Sequence, residues 1–411
     1  MRNWGGNIDF GDSSIVQPSG LDQLAEIVAS LDRCRPLGSR HSFNRIAEST
    51  TIIDTSALSK TFSVSPDRSS VTVSGHATYG WLIEQLLPHE LALKNTASLP
   101  HISIAGAIAT GTHGSGNQNQ NLAASVRSLT MVLGDGEVLK LDGTDQDFAG
   151  AVVGLAALGI TTEVVLDVVP TFDVEQRVFD GLDLESLAAS LDDVFAAGYS
   201  ISVFTHWAGR ADQVWVKHRV GDEVPASSLA FLETLTPAME RRHPIAGLDA
   251  SGCTEQLGIS GRWCDRLPHF QMGITPSAGD EIQSEFFVDR AHGAAAIEAM
   301  ARIGSEIADA LMVGEIRTVA RDELWMSPHT GRDSLAFHFT WHPDQALAEA
   351  AANSVADALE AFAVRPHWGK VFDPARLDLS QYERRWDFLD LVARLDPTET
   401  FRNPWHDSIF T

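Results

Sequence analysis

The segment NTASLPHISIAGAIATGTHGSG (95–116) constrains the chain most. Gly106, Gly111, Gly114 and Gly116, with small Ala and Ser residues between them, let backbone N–H groups approach an anionic ligand without side-chain collision. A pyrophosphate needs many such donors. A second loop, Pro36-Leu37-Gly38-Ser39-Arg40-His41-Ser42, has the same character and adds one nucleophilic imidazole. Taken alone, either loop also suits an ordinary packed turn. Neither GxGxxG between a strand and a helix nor GxxxxGK[ST] occurs, which argues against a doubly wound nicotinamide dehydrogenase and against an ATPase.

At 411 residues the chain exceeds a single ordinary core, so two domains are expected. Its 55 Asp plus Glu against 30 Lys plus Arg give a formal charge of −25, which repels phosphate backbones and anionic membranes and leaves no nucleic-acid or membrane role. Cys34, Cys253 and Cys264 form neither a metal set nor a disulfide framework and read as buried free thiols. MRNWGGNIDF lacks the pattern of a secretory signal, so a cytoplasmic location is expected. No heptad or aromatic seam forces an interface, and a monomer is expected.

Residues 21–33 have helical spacing. Short strands are expected from 36, 51 and 61 and over 70–75, then a helix over 77–91 that Pro88 ends. SLTMVLGDGEVLKL (128–141) reads as a hairpin turning at Gly134-Asp135-Gly136, 150–159 as a short helix and 160–170 as a strand. Beyond residue 173 the pattern becomes strands backed by helices: strands at 173–179, 201–205, 212–220, 281–289, 311–320 and 335–342, helices at 184–198, 293–305 and 345–360. The Pro- and Met-rich passage 224–275 lacks periodicity and reads as irregular cover over a site.

Two strands carry polar faces. In GEIRTVA (314–320), Glu315 and Arg317 share one face. In LAFHFTWH (335–342), Leu335, Phe337, Phe339 and Trp341 form an apolar face against Ala336, His338, Thr340 and His342. Such strands suit either the wall of a polar pocket or a solvated sheet. His338 and His342 lie roughly 13 Å apart along a strand, too far to share a metal ion, and no metal is expected. RPHWGKVF (365–372) adds His367 and Lys370, the latter either solvated or placed to hold an oxygen atom. His113 reads as a loop-shaping residue.

From NWGGNI (3–8) to LDPTETFRNPW (395–405), these segments resemble the vanillyl-alcohol-oxidase type of FAD enzyme, in particular the branch of alditol oxidases and sugar-lactone oxidases. The resemblance implies an α+β fold: a two-subdomain PCMH-type FAD-binding domain (1–172), a cap domain with an antiparallel sheet flanked by helices (173–370), and a C-terminal segment (371–411) returning to the first domain. Gly38-Ser39-Arg40-His41-Ser42 matches the family's pyrophosphate loop, usually Gly-Ser-Gly-His-Ser, with Arg40 in place of a small residue. It implies an FAD covalently attached through His41. The stretch from Ala97 to His101 and Ile102-Ser103, then Ala105-Gly106 and Ala109-Thr110-Gly111-Thr112-His113-Gly114, matches the second flavin loop, and Gly159-Ile160 the adenine-side contact. The cofactor set implied is therefore Pro36 to Ser42, Ser98, Ser103, Gly106, Thr110, Gly111, Thr112, His113, Gly114 and Ile160.

On the substrate side, Ser98, Glu315, Arg317, Thr340 and Lys370 match an alditol-oxidase pocket, with His338 beside them. By resemblance the substrate is a small acyclic polyol oxidised at its terminal hydroxymethyl group to the aldose. Dioxygen would be reduced to hydrogen peroxide, with His338 or Lys370 receiving the hydroxyl proton. The alternatives are a sugar-1,4-lactone oxidase or dehydrogenase and a non-catalytic flavin-binding protein.

Overall fold

The computed structural model describes residues 1–274 and 281–410, so the last residue of the 224–275 passage lies outside it. The fold is mixed helix and sheet, as expected. The first part holds three small sheets, the smallest an antiparallel pairing of Leu91–Ala92 with Val169–Pro170. Strands Ser14–Val16, Thr51–Asp54 and Arg35–Leu37 lie parallel, with Thr51–Asp54 in the middle. Strands Phe62–Val64, Ser70–Ser74, Ile160–Asp167, Val126–Val132 and Val138–Asp142 follow one another in an antiparallel sheet. Its last pair is the expected hairpin, with Val132 opposite Val138 across the Gly-Asp-Gly turn.

Beyond residue 172 the described strands build one large antiparallel sheet. Its central order is Gln213–Arg219, Ser200–Thr205, Leu311–Val319, Ser334–Trp341 and Ile282–Asp289. Alternation divides this sheet into two unlike faces. Leu335, Phe337, Phe339, Trp341 and Ile316 pack with Ile201, Val203 and Phe286 beneath the helices Gly293–Ile307 and Gln345–Leu359. The opposite face carries Glu315, Arg317, His338, Thr340 and Glu285, all buried. Helices therefore cover only the apolar face, and the polar face is left to meet the first sheets.

Several local expectations need correction. The helix over 150–159 spans only Phe148–Val152, because Leu155 and Ala156 take left-handed backbone conformations (φ +53° each) that no helix admits. The helix over 184–198 breaks at Ser190 into Leu184–Ala189 and Leu191–Phe195, and the first helix stops at Ala29 rather than at 33. Within 224–274 a helix, Ala226–Leu232, two-residue strands Thr236–Pro237 and Gly261–Arg262 and two 3-10 turns interrupt otherwise irregular chain. The three cysteines are buried and unpaired. Among the described residues no helix is long and apolar enough to cross a membrane.

Candidate functional site

A cavity of about 490 Å³ lies between the glycine-bearing loops and the polar face of the large sheet. Its loop side is a cradle of backbone. Ser103 sits between the two loops: Ser39 N–H donates to Ser103 Oγ (3.3 Å), and Ser103 N–H donates to Ser39 Oγ (2.9 Å). A Cβ at Gly38 or Gly106 would stand 2.6 or 2.8 Å from that same Oγ, so a side chain at either position would have to displace the hydroxyl that links the loops. Residues 36–42 all line the cavity, as do Ser98, Ser103, Gly106, Thr110, Thr112, His113 and Ile160. Gly111 and Gly114 lie off its lining. Gly111 has φ +67° and faces Pro328, while a Cβ on Gly114 would meet Asn95 Oδ1 at 2.2 Å and the Thr96 carbonyl at 2.4 Å. These two glycines shape the loop by close backbone packing.

His41 stacks on Trp4 at 5.0 Å between ring centroids. Burial pulls its pKa down to about 4, and neither ring nitrogen has a hydrogen-bond partner. A neutral, buried imidazole with both nitrogens unsatisfied is costly unless something absent from the bare chain engages it. Its position beside the glycine-bearing cradle fits a residue that contacts FAD. Arg40 takes φ +64°, the left-handed conformation for which glycine is better suited, and the residue is among those lining the cavity.

Both loops are stitched to the large sheet. Gly116 N–H donates to Thr318 O (2.9 Å), where a Cβ would collide with the Tyr199 carbonyl at 2.3 Å. Phe43 N–H donates to Gly369 O (2.8 Å), and Asn44 Nδ2 donates to the carbonyls of Trp368 and Lys370 (2.8 Å each). The turn 367–370 is itself fixed on the strand Ile282–Asp289, His367 N–H donating to Glu285 O and Val371 N–H to Gln283 O (2.9 Å each). Lys370 is thereby carried to the edge of the cavity.

The opposite wall is made of charged side chains. Glu315, His338 and Glu285 lie directly across from one another on three adjacent strands, so their side chains share a face. Arg317 donates to Glu285 Oε1 (2.6 Å), and Lys370 Nζ donates to Glu285 Oε2 (2.7 Å) and faces His338 Nδ1 at 2.7 Å. His113 Nε2 is 3.1 Å from Glu285 Oε1, without the alignment of a hydrogen bond. Despite burial, the neighbouring Lys370, His113 and Arg317 hold Glu285 well below the usual carboxylate range. Glu315 is lowered in the same way, chiefly by Arg317 and His269. Burial and the Lys370 charge pull His338 down to about 4, leaving it neutral. Burial also lowers Lys370, against the opposing pull of Glu285.

The sequence-predicted substrate residues thus converge. Thr340 Oγ1 is 3.3 Å from His338 Nε2, and Ser98 Oγ is 3.5 Å from Arg317 Nη1, joining loop to wall. Arg317 Nε is buried without a hydrogen-bond partner, 3.6 Å from Glu315 Oε2. That pair offers a donor and an acceptor to a ligand bearing hydroxyl groups. His342 is exposed, just past the strand end. Sequence reasoning missed Glu285 and His269, and it read His113 as a loop-shaping residue although it faces the central carboxylate. Glu285 shares with Gln283 a polar face opposite Ile282, Phe286 and Val288, the same alternation that singled out the other two strands. His269, in the aperiodic passage, carries no local signal.

Comparison with known proteins agrees with this architecture. The FAD binding domain family matches residues 13–142, and the D-arabinono-1,4-lactone oxidase family matches 278–409. An alditol oxidase from Streptomyces sp. is 41% identical over 409 residues, covering 98% of this chain and 97% of its own length. An L-gulono-1,4-lactone dehydrogenase of Mycobacterium tuberculosis is 29% identical over 424 residues, covering 98% and 97%. Among solved structures, cholesterol oxidase from B. sterolicum superposes with a TM-score of 0.79 at 14% identity, covering 100% of this chain and 96% of its own, which marks a shared fold.

Proposed function

This chain belongs to the alditol oxidase family, and from that premise we propose that it uses FAD to oxidise the terminal hydroxymethyl group of an acyclic polyol such as xylitol or sorbitol to the aldose, reducing dioxygen to hydrogen peroxide. The observation that carries the reading is the wall opposite the cradle, where Arg317 Nε is buried without a hydrogen-bond partner, 3.6 Å from Glu315 Oε2. A linear polyol offers hydroxyls on successive carbons, each needing a partner once water is removed. Glu315 accepts, Arg317 donates, and Ser98 and Thr340 do either.

When bound, FAD supplies the hydride acceptor and the centre that dioxygen reoxidises. The chain's task is to place the substrate and manage its proton. Lys370 and the neutral His338 beside it, 2.7 Å apart, are together the pair toward which the hydroxyl proton leaves. Glu285 holds Lys370 and Arg317 in position. His41 is the residue we assign to covalent attachment through the flavin 8α-methyl group. A His41→Ala protein is expected to release all of its yellow colour on acid precipitation, whereas the parent retains it in the pellet; equal release from both would remove that assignment.

A sugar-1,4-lactone substrate is the second reading, favoured by the match of residues 278–409 to a lactone-oxidase family. A panel of xylitol, sorbitol and gulono- and galactono-1,4-lactones, assayed for peroxide and for dye reduction, separates the two. We further propose the division 1–172, 173–370 and 371–411, and a monomer, which light scattering tests.

A further inference from the structure

Lys217, on the strand Gln213–Arg219, lies behind the substrate wall rather than in it and is only 1% exposed. Its partners are a carbonyl, Leu267 O, and Nδ1 of His269 at 3.0 Å, rather than a carboxylate. Keeping an ammonium in such a place is costly. Burial pulls its pKa down to about 7, and Glu315, Arg317 and Cys253 are the other ionisable groups that act on it. The proposed reaction gives this lysine no role.

Its geometry supplies one. An ammonium only donates, so Nδ1 of His269 has to accept. Burial holds His269 down to about 4, so the ring is neutral and has a single N–H. With Nδ1 accepting, that proton sits on Nε2, which is 2.9 Å from Glu315 Oε1 and 3.4 Å from Ser202 Oγ. The chain Lys217, His269, Glu315 therefore fixes one carboxylate oxygen. The other, Oε2, remains on the side of Arg317 Nε. Without the ammonium Nδ1 loses its donor and only Glu315 holds the ring in the Nε2–H form, so the other tautomer, which turns a lone pair on Nε2 against the carboxylate and displaces Glu315, becomes more accessible.

We propose that Lys217 is a positioning residue for substrate binding, which selects the Nε2–H tautomer of His269 so that His269 holds Oε1 of Glu315 and leaves Oε2 for the substrate hydroxyls. The proposal rests on the polyol reading of the same site. It concerns an interaction made equally with bound substrate and transition state, so its signature is a change in KM with little change in kcat.

The test uses the flavin-loaded full chain with xylitol. Lys217→Met is expected to raise KM about tenfold or more, the scale of a charge-assisted hydrogen bond, with kcat within about threefold. Its Tm should stay level or rise, because a buried ammonium is removed. In a His269→Gln background the amide nitrogen is a donor with no tautomer to select, so adding Lys217→Met should shift KM by less than about threefold. An unchanged KM in Lys217→Met, the same factor in both backgrounds, or a joint fall of Tm and kcat overturns the proposal. Should Lys217→Met not fold, His269→Gln with a near-parental KM beside His269→Phe with a tenfold higher one supports it, and equal values overturn it. If no polyol reduces the parent flavin, the reading of the site fails as a whole, which is a different result from a parent that turns over and variants that match it.

Discussion

The two sides of the cavity are built from opposite materials. The cradle works through absent side chains: Gly38 and Gly106 leave room around Ser103. The wall works through side chains alone, with Glu285, Glu315, Arg317 and His338 buried together beside the half-buried Lys370 and mutually compensated. The cradle suits a ligand part whose charge is fixed and whose chemistry is inert. A wall of coupled charges suits the part that must lose a proton and a hydride. Binding and reaction are thus divided between backbone and side chains.

The largest effect expected from breaking this division lies in the wall. Glu315→Gln and Lys370→Ala should each lower kcat/KM for xylitol by about 10³-fold or more, with full flavin content, read by steady-state peroxide release. Flavin loss in parallel with activity would mean that the wall, and not only the cradle, retains the cofactor. Next in size is Glu285→Gln, which leaves Lys370 without its carboxylate and the buried Arg317 with Glu315 alone. It should cost about 3–5 kcal/mol in denaturant unfolding, and a cost below 1 kcal/mol would show the cluster to be wet and loosely coupled.

In the cradle, Gly114→Ala forces a methyl group onto the Thr96 carbonyl and should cost about 1–3 kcal/mol, seen as a lowered Tm. Gly143→Ala, where nothing lies within 4 Å, should stay within about 0.5 kcal/mol and serves as its control.

Acid sharpens the contrast further. His269 and His338 in or behind the wall, and His41 in the cradle, are each held down to about 4 in the folded chain, while an unfolded histidine takes its proton near 6.5. Their stabilising contribution is therefore fully present above pH 6.5 and is lost as pH falls toward 4, by up to about 1.4 kcal/mol per pH unit for each ring. Tm measured from pH 7 to 4 should fall, and His41→Ala should leave most of that slope in place.

The same contrast explains what the sequence disclosed. The cradle was legible because glycine density over 95–116 and 36–42 is a local signal, and its meaning does not depend on distant partners. The polar strand faces were legible one strand at a time, from alternation in 314–320 and 335–342. What alternation cannot give is register. That Glu315, His338 and Glu285 stand in one row depends on how strands far apart in the chain pair, so the role of Glu285 emerged only in three dimensions. His269 was illegible for another reason, since it comes from an aperiodic passage and reaches Glu315 through tertiary packing. The helix expected over 150–159 failed because apolar spacing carries no trace of the left-handed turn at Leu155 and Ala156.

The central claim, that cradle and wall together make a flavin-dependent polyol oxidase, is tested most directly by the visible spectrum of the purified protein under anaerobic conditions with xylitol, followed by air. The account predicts bleaching of the flavin bands by xylitol, recovery in air and release of hydrogen peroxide. Bleaching by a sugar lactone alone, or a reduced flavin that persists in air, would contradict it.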